Sequence, residues 1–367
     1  MSIDVQELPC QEGHIGLLTL DSPKTLNALT EEMVNKAQAA LDGWAEDSRI
    51  CLVVLRGSGD RAFCAGANLR ALYDGLTGSG DTEAPGRFFT SEYRLDYTLH
   101  RYPKPVLALG HGVIMGGGMG LLAGCRYRVV TPDATLAMPE ITIGLFPDAG
   151  SSWFLNRLPG RIGLFMGLTG ARLNVSDAMR VGLADIILQP EQLNTLLDDL
   201  QSQRWSGEAV ADDNQLFRML TDQEAVDYRS LPEGHLEKHE QTIAKLATGD
   251  DLPAIVNNLL GHESNDPWWQ NCVENLANGC PITPWLLWHQ LGKGQQMSLK
   301  DMFRMELAIA MECTRRRDFA EGIRALMVDK DRSPVWSFTS VGDVPEGIIE
   351  RHFQPVWDDT TDPMRLD

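Results

Sequence analysis

The sequence predicts an α/β fold that carries a helical C-terminal region, and three observations lead there. Short apolar runs suited to buried strands alternate with helix-spaced segments through the first half, two of those runs pass into glycine-rich turns, and strand patterns stop after residue 189. HIGLLTL (14–20) is a strand by its continuous apolar character. Thr30 can cap a helix through residues 31–47, in which Val34, Ala37, Leu41 and Trp44 recur at spacings of 3, 4 and 3 and form one apolar face. Strand ICLVVLRG (50–57) follows, then a short helix after Asn68 and a Gly-rich loop over 75–86 that reads as a mobile lid margin. A helix around Glu92 to His100, strand VLALG (106–110), a glycine turn and strand RYRVVT (126–131) complete the alternation. LADIILQ (183–189) is the last strand pattern. From Pro190 to about Asp331 the chain reads as helices joined by short polar loops, so the expected division is a core over 1–200 and a helical region over 201–367.

The 367 residues carry 32 Lys and Arg against 51 Asp and Glu, a net charge of −19, and 43% are hydrophobic. That composition builds a sizeable core and excludes disordered and fibrous classes. So acidic a surface repels phosphate backbones, which excludes general nucleic-acid binding while leaving room for a small anionic ligand in a local pocket. Seven scattered cysteines without a C-x-x-C pair point to a reduced, cytoplasmic setting, with neither a disulfide framework nor a metal site. The first ten residues, MSIDVQELPC, have no basic stretch followed by an apolar one, as a targeting segment would. The uncharged run at 106–124 is long enough to suggest a membrane span, yet seven of its 19 residues are Gly and His111 sits inside it. It reads better as a buried strand, a glycine turn and a short buried helix, so no membrane association is expected.

Two turns share one character. In RAFCAGANLRALYDG an apolar piece runs into Ala65-Gly66-Ala67 and then a helix; in HGVIMGGGMGLLAG the strand runs into Gly116-Gly117-Gly118 and again a helix. Small residues there let a ligand approach free backbone N–H groups, and two such groups aimed at one point form an oxyanion hole; close backbone packing is the simpler alternative for either turn alone. Neither turn has the spacing of a dinucleotide or P-loop motif. In AMPEITIGLFPDAGSSWFL, Glu140 and Asp148 each follow a proline within a largely apolar stretch, which suits a general acid/base pair with perturbed pKa values. Helix capping by Asp148 and a surface turn for Glu140 are the alternatives. No G-x-S-x-G elbow is present, against a serine hydrolase.

GDRAFCAGANLRAL, HGVIMGGGMGL, MPEITIGLFPDAGSSWFLNRLPG and TGARLNVSDAMRVGLAD resemble, in order and spacing, the enoyl-CoA hydratase/isomerase (crotonase) superfamily over residues 12–190. The resemblance implies a crotonase-like spiral of β-β-α repeats that binds acyl-CoA thioesters, with Ala67 and Gly117 supplying the oxyanion-hole N–H groups, beside Gly66. Hydratases of that superfamily usually have Glu three residues after the second oxyanion-hole glycine, where this chain has Gly120. LFPD with Asp148, SEYRLDYTLHRYPKP with Glu92, and FAEGIRALMVDKDRSPVW resemble instead the branch that hydrolyses 3-hydroxyisobutyryl-CoA in valine breakdown, and extend the likeness over nearly the whole chain. That branch implies Glu140 as nucleophile or base, Asp148 as a partner in proton transfer, and Glu92 against the acyl group. Lys24 lies where the superfamily often sets a basic residue against CoA, with simple solvent exposure the equal alternative. The resemblance implies no cofactor, since CoA belongs to the substrate, and leaves room for a homo-oligomer. Another hydratase or isomerase, or a non-catalytic acyl-CoA-binding member, are the competing readings.

Overall fold

Apolar runs become strands and the segments between them become helices. A computed structural model describes residues 2–366 apart from Ala225, Val356 and Asp359. Its strands are β1 (Ser2–Pro9), β2 (His14–Asp21), β3 (Ile50–Gly57), β4 (Ala62–Cys64), β5 (Val106–Gly110), β6 (Val113–Met115), β7 (Tyr127–Val130), β8 (Thr135–Ala137) and β9 (Ile186–Ile187). Five helices matter most for the site: α1 (Glu31–Glu46), α2 (Leu69–Leu76), α3 (Ala84–His100), α4 (Gly117–Gly124) and α5 (Ser151–Phe154). One sheet has the order β1-β2-β3-β5-β7-β9, a smaller one the order β4-β6-β8. β1 runs antiparallel to β2, and the other paired strands of the large sheet run parallel. In chain order β3 then β4, β5 then β6, and β7 then β8 each send one strand to the large sheet and the next to the small one, which is the spiral repeat the sequence predicts.

The chain forms two compact units, each drawn from three segments. The first contains the segment ending at Ala67, with Leu95–Leu136 and Leu173–Gly234; the second contains Asn68–Arg94, Ala137–Arg172 and the segment from His235 onward. In the first unit the large sheet is apolar on both faces, as parallel sheets with covered faces are. Ile15, Leu17, Leu52, Val54, Leu107 and Val129 pack with Leu196, Leu200, Trp205, Leu216 and Leu220, which come from helix Pro190–Ser202, the loop after it and helix Ala209–Gln223. On the opposite face Leu18, Leu20 and Leu55 lie with Met33, Val34, Ala37 and Leu41 of α1 and with Leu95 and Leu99 of α3. Thr30 caps α1 by accepting from the Met33 N–H at 3.2 Å, as its sequence position predicts.

The second unit is mainly helical, and its glycines set backbone on backbone. A Cβ at Gly144 would lie 2.5 Å from the Asp318 carbonyl oxygen, and one at Gly322 would lie 2.3 Å from Ile143. The FAEGIRAL segment is thereby fixed against the turn that begins at Glu140. Arg324 of the same segment ties it off, with ion pairs of 2.9, 2.6 and 2.7 Å to Glu321, Asp329 and Asp331.

Three expectations change in detail. α3 begins at Ala84 rather than near Glu92, because Pro85 suits a first helical turn and leaves only the stretch from Thr77 to Glu83 outside helices. The strand expected over 183–189 shrinks to Ile186–Ile187, since the N–H groups of Leu183 and Ala184 turn back to the Ala178 carbonyl after Gly182 ends the preceding helix at φ 75°. The uncharged run 106–124 is β5, β6 and α4, and no helix among the described residues is long and apolar enough to cross a membrane.

Candidate active site

In the first unit the two small-residue turns lie against each other. β4 and β6 pair in parallel, Cys64 opposite Ile114, and so bring the turns that follow them side by side. Gly66 has φ 91° and Gly116 φ 53°, conformations that favour glycine. A Cβ on Gly66 would sit 3.0 Å from the Met115 carbonyl oxygen and 3.3 Å from the Gly117 nitrogen, and one on Gly118 would sit 2.2 Å from the Cys64 carbonyl oxygen. The glycines therefore serve the close packing that the simpler reading offers, and that packing sets Ala67 and Gly117 a few residues apart in space. Gly117 opens α4, so its N–H belongs to the donors without an intrahelical partner and lies at the positive end of the helix. Next to Ala67, the Gly66 carbonyl accepts from the Leu29 N–H at 2.8 Å, which leaves the Ala67 N–H outside that bond. Asn27, which sequence reasoning passed over, holds the neighbouring connection by accepting from the Ser22 N–H and donating to the Ser58 and Ala62 carbonyls. Lys24 is exposed on the one-turn 3-10 helix Pro23–Thr25.

The second unit holds the acids. Glu140 opens a 3-10 turn, Glu140–Ile143, and is only 3% exposed; Asp148 is 4% exposed. Neither alternative for these residues survives. Glu140 is not on a surface turn, and the Asp148 side chain does not cap α5 but accepts from the Tyr93 hydroxyl at 2.7 Å. Glu140 Oε2 meets no hydrogen-bond donor among the described residues. Burial, and then the charge of Asp148, push the Glu140 carboxyl well above its ordinary range. Burial pushes Asp148 up to about 7, with the Tyr93 hydroxyl pulling the other way. Glu92, next to Tyr93 on α3, is buried as well, and its charge joins those of Asp148 and Glu306 in raising the Tyr93 phenol, behind the larger effect of burial.

Two members of this cluster were not found from sequence. Tyr93 stands beside Glu92 in SEYRLDY, where nothing marks its hydroxyl as a partner for Asp148. Glu306 is a fully buried acid in the helix Leu299–Thr314, and an acid within MFRMELAIAM was the signal available for it.

A buried carboxyl with a raised pKa makes folding pH-dependent, with a sign that can be worked out. Asp148 binds its proton more tightly when folded, about 7 against an ordinary 3.8, so its contribution is most favourable below about 4 and is lost as pH rises through about 7. Asp148→Asn removes that loss and can still accept from Tyr93. Denaturant titrations should therefore find the variant more stable than the parent by about 1 kcal/mol or more at pH 8, with a smaller gap at pH 5. An equal gap at both pH values would contradict the burial-driven shift.

The sequence profile of the enoyl-CoA hydratase/isomerase family matches residues 15–353. The chain belongs to this family. Within and around the family, 3-hydroxyisobutyryl-CoA hydrolase, mitochondrial, of Danio rerio is 36% identical over 341 residues, 93% of this chain and 87% of that protein. The protein of the same name from Homo sapiens is 34% identical over 345 residues, 94% and 87% of the two chains. Among solved structures, an enoyl-CoA hydratase from Rhodobacter sphaeroides 2.4.1 superposes with a TM-score of 0.82 at 32% identity, over 96% of this chain and 98% of that one. A carnitinyl-CoA dehydratase from Mycobacterium thermoresistibile gives a TM-score of 0.82 at 31% identity, covering 96% and 97%. The enoyl-CoA hydratase/isomerase fold expected from the sequence is thus the fold of the chain, and its relatives carry both hydrolase and hydratase names.

Proposed function

We propose that the chain hydrolyses a short β-hydroxyacyl-CoA thioester, 3-hydroxyisobutyryl-CoA before others, to the free hydroxy acid and CoA. The observation that carries this reading is the pairing of buried Glu140 and Asp148 in a family member that has Gly at position 120, where a hydratase would present its second carboxylate. The near full-length likeness to proteins named for that hydrolysis supports the same choice.

In the proposed reaction the thioester oxygen takes hydrogen bonds from the N–H groups of Ala67 and Gly117, which stabilise the negative charge that develops on it. Ionised Glu140 attacks the carbonyl carbon, the C–S bond breaks, CoA leaves as the thiol after gaining a proton, and water cleaves the resulting anhydride. The other route has Glu140 take a proton from the attacking water. Both consume one thioester and one water and need no cofactor. Hydroxylamine trapping of the anhydride separates them. Asp148 serves the proton transfers, Glu92 contacts the acyl group, Gly66 gives the substrate room to approach the Ala67 N–H, and Lys24 meets the phosphates of CoA. The substrate would place the enzyme in valine breakdown. A reduced, cytoplasmic setting is the expectation from the cysteines, whereas the Danio rerio and Homo sapiens relatives are mitochondrial by name; cell fractionation decides between the two.

The deciding assay offers 3-hydroxyisobutyryl-CoA and crotonyl-CoA separately while free thiol and the double-bond absorbance are followed. Thiol release from the first is the expected result. Loss of absorbance from crotonyl-CoA without thiol would assign a hydratase, and silence with both would favour an acyl-CoA-binding protein.

A further inference from the structure

Asp148 sits on a turn closed by the Ser151 N–H donating to the Asp148 carbonyl at 2.9 Å, and its backbone is strained. Ala149, a residue with a side chain, has φ 53°, and Gly150 follows at φ 84°. Left-handed backbone at a non-glycine residue costs free energy and persists only where the surroundings enforce it. The surroundings here reach the turn from two helices of the second unit, Thr283–Gly294 and Leu299–Thr314. Thr283 donates to the Leu145 carbonyl at 2.6 Å, and Gln290 donates to the Pro147 carbonyl at 2.7 Å. Directly after Asp148, Glu306 spans the turn: its Oε2 accepts from the Gly150 N–H and its Oε1 from the Ser152 N–H, each at 2.7 Å.

The position of Glu306 is costly without a purpose. Its helix neighbours Met302, Phe303, Leu307, Ile309 and Ala310 are all buried, and a carboxylate among them is tolerated only with strong partners. Two short bonds from backbone N–H groups are such partners and favour the ionised acceptor. Burial nevertheless raises Glu306 to about 7; the Ser152 and Gly150 amides oppose that rise, and the Asp148 charge adds to it. The Asp148 charge acts on Glu306, Tyr93, Glu140 and Cys313, and the Glu306 charge acts on Tyr93.

We propose that Glu306 is a positioning residue for thioester cleavage: by clamping the Gly150 and Ser152 amides it fixes the turn that aims the Asp148 carboxyl. This rests on the hydrolase reading above. Tyr93 holds the Asp148 carboxyl from one side and Glu306 holds its backbone from the other, so removing either leaves the acid misdirected.

Glu306→Gln tests the clamp, because the amide offers one acceptor where two donors wait and carries no charge. Turnover should fall by about 10-fold or more with KM within about twofold, a loss in the chemical step rather than in binding. A residue that merely stabilised the fold would lower the unfolding temperature and leave the turnover of the folded enzyme unchanged, and that result would overturn the proposal. Glu306→Asp keeps the charge but is too short to span both amides; reduced turnover is expected here as well, and parental turnover would also overturn the proposal. Carboxyl 13C titration of Asp148 in the ligand-free protein needs no substrate: near 7 in the parent and displaced in Glu306→Gln, where the misaimed carboxyl loses the Tyr93 hydroxyl, supports the clamp, and identical titrations overturn it. Absence of thiol release from the parent, by contrast, counts against the hydrolase reading alone.

Discussion

Glu140→Gln is expected to lower cleavage of 3-hydroxyisobutyryl-CoA by at least about 10²-fold while the thioester still binds, because the amide keeps the shape of the side chain and loses the nucleophile or base. The parent should also show a particular pH dependence. Glu140 must be ionised to act, and burial together with the Asp148 charge holds its carboxyl well above the ordinary range, so turnover should climb with pH well beyond the range of an ordinary carboxylate. Asp148→Asn removes the like charge and should shift that climb to lower pH even as it lowers the maximum. The checks are stopped-assay thiol release across pH 5 to 9 and a binding titration of the inactive variant with the intact thioester. Parental turnover in Glu140→Gln would remove Glu140 from the chemistry. A flat profile in the parent would show that its ionisation does not limit the reaction.

The legible parts of this fold are those in which the local pattern and the tertiary outcome agree. β2, β3 and β5 lie where continuous apolar runs put them, and α1 starts at the cap that Thr30 offers. β4, β6 and β8 are three residues each, too short for any periodicity, and exist because neighbouring strands of the spiral place them side by side. β1 escaped because its residues are mostly exposed and polar, and its antiparallel pairing with β2, from Ser2 opposite Asp21 to Pro9 opposite His14, fixes it. Helices Ala209–Gln223 and Pro267–Asn278 were similarly hidden by exposed polar residues interleaved with a few buried ones.

The site divides in the same way. Glu140 and Asp148 stood out because an acid inside an apolar segment costs too much to be incidental. Glu306 obeys that rule equally well, yet it shares helix Leu299–Thr314 with Arg304, Glu312 and other charged residues, among which nothing in the sequence sets it apart. Only the fold shows that Glu306 points inward at the amides of Gly150 and Ser152. Tyr93 carries no sequence signal at all: which buried hydroxyl meets which carboxylate is decided by the packing of α3, through Phe89, Tyr93 and Phe303, rather than by any spacing along the chain.

Discrimination for the substrate hydroxyl should be the other large effect. A site that hydrogen-bonds a substrate hydroxyl rejects the analogue lacking it, because its buried polar groups are left without partners, whereas one methyl group in an apolar pocket changes binding by only about 1–3 kcal/mol. Glu92 and Asp148 are both buried acids grouped around Tyr93, and Glu140 also feels the Asp148 charge. If they meet the acyl portion as proposed, isobutyryl-CoA, without the 3-hydroxyl, should have a kcat/KM lower than that of 3-hydroxyisobutyryl-CoA by about 10²-fold or more. 3-Hydroxypropionyl-CoA keeps the hydroxyl and loses a methyl, and should remain a fair substrate, within about 10-fold of the best. Glu92→Gln should narrow the gap between hydroxylated and plain thioesters, by slowing the former more than the latter. The measurement is the ratio of specificity constants for the three thioesters in parent and variant. Equal constants for isobutyryl-CoA and the hydroxy ester would show that neither acid reads the hydroxyl, and would redefine the enzyme as a general short-chain acyl-CoA thioesterase with Glu140 still at its centre.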